Sequence, residues 1–128
     1  MAEELTDEAL EFAEKMFTLA REGHTEHLAA YIDAGLPVDL ANHNGDTLLI
    51  LAAYHGHPDT VRALLERGAD ITRTNRRGQN ALTSATFKQD IATVRALLEA
   101  GADPDAGTPS ARATAEHFNL PEMRHLFG

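Results

Sequence analysis

Cysteine and tryptophan are absent from this chain of 128 residues, and aromatic residues make up only 5% of it. Without cysteine, the chain has no disulfide bridge, no thiolate nucleophile and no cysteine ligand for zinc. Long apolar runs are also missing, since none approaches the roughly 20 residues of a membrane-spanning helix. Few aromatics beside a hydrophobic content of 43% predict a core of small aliphatic side chains, which suits thin, closely packed helices.

Positive charge is scarce as well. The chain has 11 Lys and Arg residues against 20 Asp and Glu residues, for a net charge of −9. Such a chain repels phosphate backbones and anionic lipids at long range, which disfavours nucleic acids and membranes as partners. The first residues also lack the basic and apolar regions of a secretory signal. We therefore expect a cytoplasmic monomer with no nucleic-acid or membrane partner.

Catalytic motifs are missing too. The sequence contains no Gly-x-Ser-x-Gly, no glycine-rich phosphate loop and no His-Glu-x-x-His. Among the seven histidines, two pairs are closely spaced, His24 with His27 and His55 with His57. Without cysteine, each pair would need carboxylates from separate turns to complete a zinc site. We expect no enzyme activity, no cofactor and no metal site.

What the chain does contain is an internal repeat with a period of about 33 residues. Shifting the stretch 45–70 by one period places Gly45 on Gly78 and Leu49 on Leu82, and it superposes two identical Ala-Leu-Leu-Glu runs, at 63–66 and 96–99. A fainter copy lies one period upstream, where Gly-His at 23–24 corresponds to Gly-His at 56–57. Self-similarity at one fixed period of this length predicts a stack of structural repeats.

These residues resemble the ankyrin repeat, whose pattern runs Gly-x-Thr-Pro-Leu-His-x-Ala-Ala, then Gly-His, then a helix closing in Leu-Leu-x-x-Gly-Ala-Asp. The stretch 45–70 follows this pattern closely, but Leu48 and Ile50 stand where the family has Pro and His, and the next repeat reads Asn-Ala-Leu-Thr at 80–83. The resemblance covers about residues 5–128. It implies an all-α solenoid of stacked helix-turn-helix units with short β-hairpin-like fingers.

The period divides one domain into four parts. They are an N-terminal capping repeat at about 5–41, a second repeat at 42–74, a third at 75–107 and a truncated C-terminal cap at 108–128. In the last part the helix pattern returns before a full period has passed. Terminal repeats of a stack are expected to be atypical and polar outside.

Local signals predict where the helices begin and which faces they bury. Thr6 and Thr47 are expected to cap helices, the second reaching about His55, and later helices are expected at about 80–87 and 91–100. The outer helix of the second repeat should bury Val61, Leu64 and Leu65. The first helix should bury a stripe of Leu10, Ala13, Phe17 and Ala20 and expose an acidic face that includes Glu3 and Glu4. Gln89 replaces the glycine of the turn between two helices, at some cost.

The resemblance also implies a partner-binding surface on the concave side of the stack, made by the finger tips and the last exposed positions of each first helix. Carried over position by position, this surface consists of Arg21, Glu22, His43, Asn44, Asp46, Tyr54, His55, Arg76, Arg77, Gln79, Phe87 and Lys88. Aromatic and arginine side chains are the commonest interface anchors. With Arg73 nearby, the basic members form a positive patch that would attract an acidic partner segment.

The main hypothesis is therefore a non-catalytic adaptor that binds another protein through this surface. Several alternatives remain open. Tyr54 and Phe87 could pack into the core, or the acidic first helix could bind the partner. An enzyme site, or a site for a small ligand or a metal, could lie around His43, Asp46 and His55. Nucleic acid could bind at the finger arginines, and contact between the acidic helix and the basic finger could drive self-association.

Overall fold

A computed structural model describes residues 6–128, so Glu3 and Glu4 of the predicted acidic face lie outside the described part. Eight helices follow one another in this part. They are α1 (Asp7–Glu22), α2 (Thr25–Asp33), α3 (Leu48–Tyr54), α4 (Pro58–Glu66), α5 (Ala81–Phe87), α6 (Ile91–Glu99), α7 (Ala111–His117) and α8 (Pro121–Phe127). None of them is long and apolar enough to cross a membrane.

The helices form four consecutive pairs that stack on one another. Along one layer, α1 contacts α3, α3 contacts α5 and α5 contacts α7; along the other, α2 contacts α4 and α4 contacts α6. The core between the layers is continuous and aliphatic, with Leu49 and Leu82 one period apart and both 1% exposed. Alanines such as Ala52 and Ala85, both fully buried, let the first-layer helices approach closely. The predicted all-α repeat stack is confirmed.

Each first-layer helix begins with a polar cap. The side chains of Thr6, Thr47, Asn80 and Ser110 each accept a hydrogen bond from the backbone N–H three residues later. A helix start leaves its first N–H groups without backbone partners, and these side-chain oxygens satisfy one of them at each start. The caps predicted at Thr6 and Thr47 are confirmed. Ser110 follows Asn80 by less than one full period, which confirms the early return of the pattern.

The prediction that Leu10 belongs to a buried stripe is wrong, because its side chain is 50% exposed. The reason lies in the lengths of the helices: α1 has 16 residues, whereas its neighbour α3 has only 7. The first turns of α1 therefore extend past the end of α3, which leaves Leu10 without cover from that helix. Further along the same helix, Phe17 and Ala20 are buried as expected, and Ala13 is half-buried. In α4, Val61 and Leu64 are buried and Leu65 is half-buried.

The turn between the two helices of a pair changes its chemistry along the stack. Gly56 has a left-handed backbone with φ 77°, and Gln89 adopts the same region with φ 59°. After the Gly56 turn, His57 precedes the first residue of α4, but its side chain does not cap the helix. Instead, its Nε2 donates to the carbonyl oxygen of Arg21 at 2.7 Å. After the Gln89 turn, Asp90 caps α6 by accepting from the hydroxyl and the N–H of Thr93. The missing glycine is thus accompanied by a new helix cap.

The fingers connect one pair to the next. Between residues 6 and 128 the structure contains no β-strand, and the fingers carry single antiparallel bridges, Ala41 with Thr47 and Gly107 with Ser110. Neighbouring fingers are joined directly: the backbone N–H of Arg76 donates to the carbonyl oxygen of Asn44 at 3.0 Å. The fingers therefore form a connected row along one side of the helix stack.

Candidate functional site

A cleft of about 480 Å³ lies between the fingers and the helices α3 and α5. Ile50 and Leu51, which are 3% and 6% exposed, form an apolar floor. Half of the predicted surface residues line this cleft: Asp46, Tyr54, His55, Arg77, Gln79 and Phe87. The fold thus brings residues of two fingers and two helices, which are far apart in sequence, around one cavity.

Asn75 organises the finger wall of the cleft. Its side-chain oxygen accepts hydrogen bonds from the backbone N–H groups of Arg77 and Gln79, at 2.9 and 3.0 Å. Its side-chain amide donates to a carboxylate oxygen of Asp46 at 2.9 Å. The loop that carries Arg77 is therefore fixed by its own hydrogen bonds, and Asp46 is engaged in holding two fingers together.

The finger tip of the second repeat is built in the same way. The side-chain oxygen of Asn42, one period before Asn75, accepts from the N–H groups of Asn44 and Asp46, each at 3.0 Å. His43, Asn44 and Arg76 lie at the finger tips, and none of them lines the cleft. The structure places these three predicted residues beside the cleft rather than in it.

The second wall is made where the first-layer helices end. We call this row of side chains the ledge; it consists of Arg21, Glu22, Tyr54, His55, Phe87, Lys88, His117 and Phe118. Tyr54 and Phe87 are the last residues of α3 and α5, and they are 39% and 45% exposed. The rings are therefore not core residues. The ammonium of Lys88 lies over the ring of Tyr54, 4.8 Å from its centroid.

The first positions of the ledge lie apart from the cleft. The guanidinium of Arg21 pairs with Glu14 at 3.2 Å, and the carboxylate of Glu22 lies 3.0 Å from Nε2 of His24. Neither Arg21 nor Glu22 lines the cleft. Arg21 nevertheless contributes to the electrostatics of the cleft through His55. The pKa of His55 is lowered first by partial burial and then by the charges of Arg21, His57 and Lys88.

The basic side chains of the site differ in how they are paired. Arg73 lies 3.9 Å from a carboxylate oxygen of Asp70. By contrast, Arg76, Arg77 and Lys88 form no ion pair with any side chain in residues 6–128. On an otherwise acidic chain, these three cations are available to an anionic group.

Sequence reasoning missed several residues of the site. Ile50, Leu51, Asn75 and Ser84 line the cleft, and Phe118 extends the ledge. The repeat offered a signal for two of them, since Asn75 lies one period after Asn42 and Ser84 lies one period after Leu51. Phe118 follows Lys88 by less than a full period, so it appears in register only when the shift in the last repeat is applied.

A metal site is not assembled in the part of the chain that the structure describes. No three His, Asp or Glu side chains there are grouped closely enough to hold an ion. The rings of His24 and His27 face each other edge to face with centroids 6.2 Å apart. The ring of His57 hydrogen-bonds to the carbonyl oxygen of Arg21 at 2.7 Å.

Stacked helix pairs joined by a row of short fingers define a helical repeat protein, and the cleft lies between the fingers and the first-layer helices. Residues 16–108, most of the chain, match a family model of three ankyrin repeats. The chain belongs to the ankyrin repeat family. It is also similar to an ankyrin repeat protein of Pseudomonas aeruginosa, with 48% identity over 52 residues, a match that covers 41% of this chain and 30% of that protein.

Proposed function

We propose that the chain is a non-catalytic adaptor that binds a protein partner through the cleft and the adjoining ledge, and that the bound segment of the partner is acidic. Ankyrin repeats are generally protein–protein interaction modules and are typically non-catalytic. The observation that carries the proposal is the cleft itself, which joins an apolar floor, two exposed aromatic rings and the guanidinium of Arg77. As part of the same proposal, the chain acts as a monomer in the cytoplasm.

The aromatic walls supply the apolar part of recognition. Tyr54 and Phe87 keep 39% and 45% of their surface exposed although each lies beside the buried residues of its helix. Large rings that remain exposed next to a cavity can bury much area on binding and lose little rotamer freedom. A partner side chain that enters between them would rest on Ile50 and Leu51.

The cationic side chains of Arg77 and Lys88 supply the polar part of recognition. Arg77 lines the cleft, and at the edge of the cleft the ammonium of Lys88 lies over the ring of Tyr54. Since neither forms an ion pair within residues 6–128, a partner carboxylate would gain a charge-assisted contact without displacing an existing one. The hydrogen bond from the backbone N–H of Arg77 to the side chain of Asn75 fixes the finger backbone before binding, so less backbone ordering is needed when the contact forms.

The test is an affinity capture from a lysate of the source organism with three versions of the chain. One is the wild type, one carries Tyr54→Ala, Phe87→Ala and Arg77→Glu, and a control carries Phe12→Ala and Arg95→Glu. The control makes the same kinds of change at exposed positions on α1 and α6, away from the cleft. Far-UV circular dichroism should show unchanged helicity for all three.

We expect a small set of proteins to be retained by the wild type and the control and lost from the cleft variant. Tyr54→Ala or Phe87→Ala alone should also abolish retention, because anchors of this kind commonly contribute about 2 kcal/mol or more, which is about a thirtyfold loss of affinity. Equal retention by the cleft variant would place the interface elsewhere, with the acidic helix α1 as the next candidate.

A further inference from the structure

The ledge ends in an exposed pair of phenylalanines, Phe87 and Phe118. Phe118 is 52% exposed and Phe87 is 45% exposed, and their ring centroids are 5.6 Å apart with the planes at 76°. On its other side, Phe118 contacts the ring of His117 edge to face at 4.7 Å. An exposed cluster of aromatic rings on a stable domain commonly marks an interaction site.

A regular pattern connects this pair to the rest of the ledge. Lys88 caps α5 and lies over Tyr54, the last residue of α3. One repeat later, Phe118 caps α7 and lies against Phe87, the last residue of α5. In both α5 and α7, the residue that follows the last helical residue thus contacts the terminal aromatic of the preceding first-layer helix. We call these two contacts the steps of the ledge. At the first step the residue over the aromatic ring is the cation Lys88, and at the second it is the apolar ring of Phe118.

We propose that the ledge recognises two side chains of one extended peptide segment, a carboxylate at Lys88 and an apolar side chain at the Phe87–Phe118 pair. This inference rests on the proposed function and specifies the chemistry of its partner. Lys88 forms no ion pair within the described residues, and Arg77 adds a second cation in the adjoining cleft. The two steps therefore differ in the group that each attracts.

The stack also sets the distance between the two side chains. The two steps of the ledge are one repeat apart, and α3, α5 and α7 pack side by side. Packed helices lie roughly 8–10 Å apart. An extended chain advances about 3.3 Å per residue. The acidic and the apolar residue of the bound segment should therefore be separated by about three positions.

The experiment is a selection from a random decapeptide display library on the immobilised full chain. Six versions are compared: the wild type, Lys88→Gln, Phe118→Ala, Phe118→Leu, the combined Tyr54→Ala, Phe87→Ala and Arg77→Glu variant, and the control Phe12→Ala. Phe12 is also an exposed phenylalanine, 43% exposed, but it lies on α1 and contacts Tyr31 rather than the ledge. The best peptides are then synthesised and their affinities measured by fluorescence anisotropy, with circular dichroism as the check on folding.

The wild type and Phe12→Ala should enrich peptides with Asp or Glu about three positions from a large apolar residue. Phe118→Ala should lose the apolar preference, keep the acidic one and weaken the best peptides about tenfold, which corresponds to about 1.4 kcal/mol. Lys88→Gln should lose the acidic preference and keep the apolar one. Phe118→Leu, which keeps an apolar side chain at this step, should restore most of the apolar preference.

Two results would overturn the inference in distinguishable ways. If the selected peptides depend on Tyr54 and Arg77 but bind equally to Phe118→Ala, the adaptor function stands and the two-step recognition fails. If no peptide is enriched, the two-step recognition fails and the lysate capture alone decides the adaptor function. If the enriched peptides bind the Tyr54→Ala, Phe87→Ala and Arg77→Glu variant as well as the wild type, both proposals fail.

Discussion

His57 joins the first helix pair to the second. Its Nε2 donates to the carbonyl oxygen of Arg21 at 2.7 Å, and its ring fills the space beside Gly23, where a Cβ would lie 2.5 Å from the ring. We predict that His57→Ala lowers the free energy of unfolding by about 1–2 kcal/mol, because the carbonyl loses its donor and the ring contact is lost. Urea denaturation followed by circular dichroism measures this change. His43→Ala, at a finger tip, should change it by no more than about 0.5 kcal/mol.

His55 gives the stability a dependence on pH. Partial burial, followed by the charges of Arg21, His57 and Lys88, lowers its pKa in the folded chain below the ordinary value of 6.5. The unfolded chain therefore binds more protons than the folded chain between these two pKa values, so this residue's contribution makes stability rise with pH in that window. As pH falls through about 6.5, the folded state should lose stability until His55 itself becomes protonated.

The measurement is a comparison of urea midpoints at pH 7.5 and pH 5.5 for the wild type and His55→Gln. Other groups titrate in both proteins, so the informative quantity is the difference between their pH dependences. We expect the wild type to lose more stability than His55→Gln on acidification. An equal or smaller loss would show that partial burial and the neighbouring cations do not penalise a charge on His55.

For single residues, the repeat pattern could indicate which side chains are candidates for binding, but not which neighbours those side chains contact. Tyr54 and Phe87 could be chosen because they stand one period apart at the ends of helices. That they are exposed, and that the side-chain amide of Asn75 engages Asp46, depends on how neighbouring fingers pack, and a linear pattern does not contain this information. Their role in binding stays a prediction.

At the level of elements, the turn between α5 and α6 stores backbone strain. Gln89 has φ 59°, a left-handed conformation that costs a residue with a Cβ about 1–2 kcal/mol. Gln89→Gly removes this cost but adds roughly 0.5–1 kcal/mol of unfolded-chain entropy. We predict a net gain in stability of about 0.5–1 kcal/mol, measured as a higher urea midpoint with an unchanged slope.

The turn of the preceding repeat provides the control for this prediction. Gly56 has φ 77°, and a Cβ at this position would lie 2.6 Å from a carboxylate oxygen of Asp90. Gly56→Ala should therefore destabilise the chain, because it adds both backbone strain and a close contact. If Gln89→Gly is neutral or destabilising, side-chain contacts of Gln89 outweigh the strain of its backbone.

The boundaries of most helices could be predicted because the sequence period and the cap residues agree. Thr47 and the Pro at position 58 mark the starts of α3 and α4, and the structure begins both helices there. Leu10 shows where such reasoning fails. A helical stripe reveals which side of a helix is apolar, but whether that side is covered depends on the length of the neighbouring helix, and α3 is less than half as long as α1.

In the molecule as a whole, each helix pair contacts mainly the pairs beside it. α5 lies in the middle and packs against α3, α6 and α7, whereas α8 packs mainly against α7 at one end of the described stack. The stability of such a stack is approximately a sum of the stabilities of the repeats and of their interfaces. The position of a core substitution along the stack should therefore decide how many helix pairs become easier to unfold.

Two buried residues of similar size test this idea. Leu82 in α5 is 1% exposed and Met123 in α8 is 2% exposed, so replacing either with alanine should cost about 2–5 kcal/mol locally. We predict that Leu82→Ala lowers protection against hydrogen exchange throughout the chain, because it weakens the pair that links both halves. Met123→Ala should lower protection mainly in α7 and α8 and leave α3 to α6 close to the wild type. Mass spectrometry of peptic fragments after exchange separates these outcomes. A uniform loss of protection in Met123→Ala would mean that the interface between the last two pairs is strong enough for the four pairs to unfold as one unit.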